Sequence, residues 1–514
     1  MKKTCYTLLF IFLACCAIAQ TRTIRADLTQ VAGKKPAMFN ECVGAGRANE
    51  GLRADWQQQL AQVQKDMGFR YIRFHGLLND DMQVYKIDKE GKQVYNWQYI
   101  DKLYDYLLSI HIRPFVELGF MPTDMASGTK TVFWWKGNVT RPKTYELWEE
   151  LIRRLVSHFQ DRYGKAEVEK WYFEVWNEPD LGGFFAGTQA DYFELYGHTA
   201  KAIKSVSPTY RVGGPATSAV KWIGDFLTYC DDHKLPVDFV STHDYATTSV
   251  LDEFGLKKQR LKPNADSVAQ DVEKVRKQIN ASGFKNAQLH FTEWNTSPSS
   301  RDPMHDTYQN AAFVLNVLKK AAPWPNSMSY WTFTDIFEEA GAGPTSFHGG
   351  FGLLNLQDIR KPTYYAYKFL NELGSQELKT NDPTSIICKQ GKSVQALFWD
   401  FTFPTKDYNQ IAFSKLQPST DKVPVNLQLS HLINGKYRME IYRVGYRMND
   451  PYSQYLDWGK PAYLSVAQVN ELKAQSTGKP ISVVNVTVSN GSYHQQFPIR
   501  SNDIYMVKLV WKGR

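Results

Sequence analysis

Two glutamates close apolar runs of this 514-residue chain: Glu178 in WYFEVWNEPD (171–180) and Glu293 in HFTEWNTSP. A carboxylate is seldom buried in an apolar stretch unless something pairs with it, so residues of this type in this setting are candidates for chemistry. Two carboxyls about 5–5.5 Å apart suit retaining glycoside hydrolysis, in which one attacks as nucleophile and the other serves first as acid and then as base. That division of labour needs unequal acidities: burial and a neighbouring negative charge favour a protonated acid, and hydrogen bonds favour an ionised nucleophile. Glu174 shares a strand face with Glu178, because side chains alternate, and is expected to be a hydrogen-bonded interior residue one layer below it.

Such a pair must be positioned by a scaffold. From about residue 36 to 360, short apolar runs alternate with segments of helical period. Asp55 is placed to cap a helix with Trp56, Leu60, Val63 and Met67 on its apolar face; another carries Leu147, Leu151, Leu155 and Phe159 and stops at Gly164. Eight runs read as strands: PAMFNECVG, FRYIRFHG, IRPFVELGF, WYFEVWNE, YRVGGPA, VDFVSTHDY, AQLHFTEWN and MSYWTFTD. Eight strand–helix units predict an α/β fold, a (β/α)8 barrel, whose catalytic groups sit at the C-terminal ends of the strands. His75, Asn177, Glu178, His243, Glu293 and Asp335 all fall at such ends, with Glu178 and Glu293 closing the fourth and seventh runs.

Past about residue 375 the period becomes two, with Asn434-Gly435 and Asn490-Gly491 turns, which predicts a C-terminal β-sandwich. The expected organisation is a signal peptide over 1–19, an N-terminal strand within 20–35 joining the sandwich, the barrel over 36–360 and the sandwich over 361–514. Lys2-Lys3, the apolar stretch from Leu8 to Ile18 and Ala17-Ile18-Ala19 form a secretory signal cut after Ala19, implying a periplasmic or secreted protein. The residues before Cys15 and Cys16 fit a lipoprotein signal poorly. No other run is long enough to span a bilayer. Of the six cysteines only Cys42, Cys230 and Cys388 lie beyond the signal, in no zinc-binding spacing. The net charge of +9 is scattered, which gives no case for nucleic acid. With no HExxH and no cysteine–histidine cluster, neither a metal nor a cofactor is implied. The sandwich could bind carbohydrate, brace the barrel or mediate oligomers.

The surrounding words narrow the chemistry. FRYIRFHGLLNDDM, FEVWNEPD, DFVSTHDY, FTEWN, YWTFTDIFEE, FHGGFGLLN and NDPYSQYLDWGKP resemble, in order, segments of glycoside hydrolase family 39, the β-xylosidase and α-L-iduronidase family. The resemblance implies that Glu178 is the acid/base and Glu293 the nucleophile, that Asn177 bonds the sugar 2-hydroxyl, and that His75 and His243 contact hydroxyls or orient the nucleophile. Phe120 and Trp294 are candidates for an apolar wall, with core positions as the alternative. Glu338 and Glu339 resemble the xylosidase branch; they can accept from neutral hydroxyls and would repel a uronate.

An iduronidase would aim a basic residue at the substrate carboxylate, whereas the run after Ser241-Thr242-His243 reads Asp244-Tyr245-Ala246-Thr247-Thr248. The expected function is therefore exo-acting release of β-D-xylose from oligosaccharides, with α-L-arabinoside, β-glucoside, β-galactoside or α-L-iduronide as other glycosides within the same mechanism. A non-catalytic glycan-binding protein is the rival class, against which both carboxylates stand in intact motifs.

Overall fold

The computed structural model describes residues 21–251, 257–403 and 410–513; the expected signal over 1–19 lies outside them. Eight parallel strands close a barrel: β1 (Cys42–Arg47), β2 (Tyr71–His75), β3 (Arg113–Leu118), β4 (Tyr172–Val175), β5 (Arg211–Thr217), β6 (Phe239–Tyr245), β7 (Gln288–Asn295) and β8 (Ser327–Tyr330). Each matches one of the eight runs, and Tyr330 of β8 pairs with Val43 of β1 to close the ring.

The helices are α1 (Ala54–Met67), α2 (Gln98–Ser109), α3 (Tyr145–Tyr163), α4 (Gln189–Val206), α5 (Ile223–Asp232), α6 (Ser267–Asn280), α7 (Tyr308–Ala321) and α8 (Pro362–Glu372). Each buries one stripe on the barrel, as Trp56, Leu60, Val63 and Met67 do in α1. Thr144 caps α3 by accepting from the Leu147 amide, and Gly164 ends it. At α1 the cap position is Arg53; Asp55 lies in the first turn, where its carboxylate accepts from the Trp56 amide and pairs with Arg53. The eighth helix falls past residue 360, where the reading of the sequence ends the barrel.

Alternation stacks the barrel interior in layers. At the N-terminal end Tyr71, Phe115, Tyr172 and His290 form an aromatic plug, with Phe115 and Tyr172 stacked at 4.7 Å between ring centres. Two residues further along the same strands stand Arg73, Glu117, Glu174 and Thr292, all buried. A charged layer above an aromatic floor is costly unless paired, and the pairing, described below, is what builds the site.

The C-terminal sheet is one ladder of nine strands in the order Ser482–Val488, Gly435–Val444, Ile504–Gly513, Ser393–Trp399, Ser385–Gln390, Gln376–Thr380, Arg22–Lys34, Val425–Ser430 and Tyr493–Phe497. The N-terminal strand lies within it, antiparallel to Gln376–Thr380 and parallel to Val425–Ser430. The ladder curls so that its two halves face each other over a shared core: the Phe398 and Phe497 rings lie 5.4 Å apart, and the Tyr493 hydroxyl donates to Met439 Sδ at 2.8 Å.

Between Gly435–Val444 and Ser482–Val488 an insertion carries two helices, Pro451–Asp457 and Val466–Gln475. It packs on the barrel's β8–α8 loop: Phe347 of that loop lies 5.7 Å from the Tyr452 ring and 5.1 Å from Tyr455, in a cluster with Ile359 and Leu472. The same loop is tied from within by buried Lys361, whose ammonium reaches Asp306 at 2.6 Å and Asp335 at 2.7 Å. Asp335, a strand-end residue, therefore serves this ion cluster. Among the described residues no helix is long and apolar enough to cross a membrane.

Candidate active site

At the C-terminal rim β4 ends at Val175 and the chain turns through left-handed backbone at Trp176 (φ 71°) and Glu178 (φ 42°). Such conformations are uncommon for bulky residues and need fixing from outside. Here the Trp176 ring wedges edge-on against Phe120 and Phe185, its indole N–H donates to the Phe184 carbonyl, and the Glu178 amide donates to Ala216 O at 2.8 Å. The turn, rather than strand alternation as expected, delivers Asn177 and Glu178 to the mouth.

Across it, Glu293 on β7 faces inward. Arg73 Nη1 donates to its Oε1 at 2.5 Å and the Tyr245 hydroxyl to its Oε2 at 2.8 Å, so both oxygens are held. His243 on β6 stands between the two acids, with Nδ1 2.9 Å from Glu178 Oε1 and 3.7 Å from Glu293 Oε2. One donor atom each of Glu178, His243 and Glu293 lies within 4.8 Å of the other two. Among the described residues this is the group of acids and histidines close enough to hold an ion, and its atoms are already engaged with one another, with Arg73 and with Tyr245.

The two acids are set in different surroundings. Burial pushes the Glu178 carboxyl up to about 7, helped by the negative charge of Asp180. Glu293 is held differently, its two oxygens accepting from a guanidinium and a phenol. Burial pushes the His243 imidazole down to about 4, so it is neutral around pH 7 and can share the Glu178 proton.

The fork of Arg73 ties the charged layer together. Its Nε donates to Glu174 at 2.8 Å, Nη2 donates to Asn177 Oδ1 at 2.8 Å and lies 2.9 Å from Glu117 Oε2, and Nη1 holds Glu293. Glu174 also accepts from the Thr292 hydroxyl at 2.8 Å, the hydrogen-bonded interior place expected for it. Glu117 takes His75 Nδ1 at 2.6 Å. Burial opposes charge on His75, but Glu117 and Glu339 outweigh it and raise the imidazole to about 10. His75 Nε2 lies 3.5 Å from Glu293 and 3.4 Å from Glu339, presenting an imidazolium to the pocket.

The structure thus gathers Asn177, Glu178, His243, Glu293, His75 and Glu339. Glu338 stands outside that group, its oxygens taken by Arg47 at 3.0 Å and Arg53 at 2.9 Å. Trp294 does not form a wall: next to inward-facing Glu293 it points outward and is buried against Phe313 and Tyr330. Phe120 is fully buried behind His75, among Trp135 and Trp176. The half-buried aromatic surface comes from the hairpin Thr131–Val132/Gly137–Asn138, where Phe133 stacks on His75 at 5.8 Å and Trp135 lies under Arg47.

Arg73, Glu117 and Tyr245 were not anticipated. Arg73 and Glu117 were readable, since each lies two residues from an inward-facing neighbour in an apolar strand; Tyr245 was readable from its place two after His243. The hairpin aromatics carry no periodic signal.

Comparison with known proteins places the chain in a family and matches its fold. The family model described as glycosyl hydrolases family 39 matches residues 23–495. A β-xylosidase of Geobacillus stearothermophilus is 45% identical over 368 residues, 70% of this chain and 73% of its own. One from Caldicellulosiruptor saccharolyticus is 38% identical, covering 89% of this chain and 96% of its own. The crystal structure of a monomeric β-xylosidase from Caulobacter crescentus superposes with a TM-score of 0.92 at 41% identity, over 95% of this chain and 99% of its own.

Proposed function

The chain belongs to glycosyl hydrolase family 39, and from that premise we propose that this glycosidase is a retaining, exo-acting β-xylosidase working through a covalent glycosyl-enzyme. The observation that carries the mechanism is that one oxygen of Glu178 and one of Glu293 lie within 4.8 Å of each other, which supports the close spacing of a retaining pair, about 5–5.5 Å, over the about 6.5–9.5 Å of an inverting one.

In this reading Glu293, aligned by Arg73 and Tyr245, attacks the anomeric carbon. Glu178, kept protonated near neutral pH, gives its proton to the departing glycosidic oxygen. The aglycone leaves, and Glu178, now a carboxylate, takes a proton from the water that displaces Glu293. Asn177 has Oδ1 committed to Arg73, which leaves its amide N–H groups for the sugar 2-hydroxyl, where a bond that tightens at the oxocarbenium-like transition state is most useful. Glu339 with His75 supplies an acceptor and a donor for further hydroxyls. The β-xylosidase names of the relatives favour xylose. The pattern of residues 1–19 supports export to the periplasm or beyond.

The test is initial rate on matched nitrophenyl β-D-xyloside, α-L-arabinoside, β-D-glucoside, β-D-galactoside and α-L-iduronide, with Glu293→Ala as the blank, and proton NMR of the first-formed anomer. The β-xyloside should be preferred and β-xylose should appear first. Initial α-xylose would refute retention, and a different preferred glycoside would refute xylose.

A further inference from the structure

Trp134 is 64% exposed, the largest side chain so presented near the mouth of the barrel, while its neighbours Phe133 and Trp135 turn into the pocket. Leaving an indole in water is unfavourable, and its backbone is firmly held. The Trp134 amide donates to the Glu339 carbonyl at 2.9 Å, which joins the β3–α3 hairpin to the β8–α8 loop. The Glu339–Gly341 turn against which it rests is fixed in turn from the β7–α7 loop, because Arg301 donates to the carbonyls of Gly341 and Ala342, each at 3.3 Å. The Trp134 ring edges Gly341, where an added Cβ would lie 3.9 Å from Cδ1. One turn therefore carries both elements: its carboxylate reaches inward to His75, and the indole lies on its outer side. An apolar ring on a held backbone, on the outer side of the turn that sends Glu339 to His75, is suited to the C–H face of a second pyranose.

We propose that Trp134 is the platform for the sugar on the leaving-group side of the scissile bond, so that the enzyme takes oligosaccharides by stacking their second residue there. This rests on the glycosidase reading of the pocket. It implies that selectivity for oligosaccharides over simple glycosides resides in a side chain that does not touch the reacting atoms.

The test compares wild type, Trp134→Ala and Trp134→Tyr on xylobiose, on β-xylosyl fluoride, whose leaving group has no ring, and on inhibition by free xylose. Trp134→Ala removes the ring and keeps the amide tie to Glu339. It should lower kcat/KM for xylobiose about tenfold, mainly through KM, with the fluoride and the xylose inhibition constant unchanged within about twofold, and Trp134→Tyr should recover most of the loss. Unchanged xylobiose kinetics, or an equal fall on all three, would overturn the platform. If wild type prefers another pyranose, the xylose assignment fails by itself, and the same comparison is run on that sugar's disaccharide and fluoride.

Discussion

Glu178 and His243 share a 2.9 Å hydrogen bond in which burial moves the two groups in opposite directions, the carboxyl up to about 7 and the imidazole down to about 4. Between about pH 4 and about pH 7 the pair therefore carries one proton, held on Glu178, and that proton is the one the first chemical step needs.

The alkaline limb of kcat/KM should accordingly fall as pH rises through about 7, when Glu178 loses its proton. After burial, Asp180 is the next cause of the raised value, and Lys221 pairs with Asp180 at 3.0 Å. Asp180→Asn removes the negative charge and frees that cation, so the limb should move to lower pH. A pH–rate profile with an unmoved limb would refute this account of Glu178.

Stability should respond to the same two groups with opposite signs. Glu178 binds its proton more tightly folded than unfolded, so its contribution is greatest below its unfolded value and is lost as pH rises through about 7. His243 is harder to protonate when folded, so its contribution is present above its unfolded value and is lost as pH falls towards about 4. Urea midpoints for His243→Asn should lose less on acidification from pH 7 to 4 than those of wild type; parallel curves would contradict the burial cause.

Removing the acid and removing the nucleophile should differ by leaving group. Glu178→Ala should cost roughly 10²–10⁴-fold on xylobiose, whose departing oxygen needs a proton, and far less on an activated aryl xyloside. Glu293→Ala should abolish both. Equal losses for Glu178→Ala on the two substrates would count against its role as acid.

Arg73 answers to several carboxyls at once. Arg73→Met should destabilise the fold by about 3–5 kcal/mol, because Glu117, Glu174 and Glu293 would keep their burial without a counter-charge. Arg73→Lys should rescue little, since a point charge cannot make the fork's separate bonds. Guanidinium unfolding of both variants checks this, and a near-native Arg73→Lys would refute the importance of the fork.

Tyr245→Phe removes one donor from Glu293 and leaves the ring. A hydrogen bond to a charged group is worth about 1.5–3 kcal/mol, so kcat should fall roughly 10–100-fold with the melting temperature little changed. A wild-type rate would show that Arg73 alone aligns the nucleophile.

Much of this was legible in the chain. The eight strands were marked by apolar runs that end in polar residues, and the acid pair by position at the ends of the fourth and seventh. What failed did so for physical reasons. Trp294 turns outward into the core because the β6–β7 register slips between Phe291 and Glu293, so that Thr292 and Glu293 both face the interior, a break in alternation that a local pattern does not show. Glu338 and Glu339 are adjacent and so diverge, one to Arg47 and Arg53, the other to His75. Phe133 and Trp135 reach the pocket from a two-residue hairpin, too short to show a period. The order of the nine-stranded sheet depends on partners hundreds of residues apart, such as Arg22 beside Val425, which local patterning does not encode.

The helical insertion at 451–475 clasps Phe347, and the loop it clasps also carries Glu339. The accessory sheet is thus not a detachable module. A barrel excised near residue 375, or a chimera that exchanges the sheet for a relative's, would leave Phe347 uncovered in the loop that carries Glu339. Loop and insertion share one packed cluster, and engineering of specificity in this protein has to transplant them together.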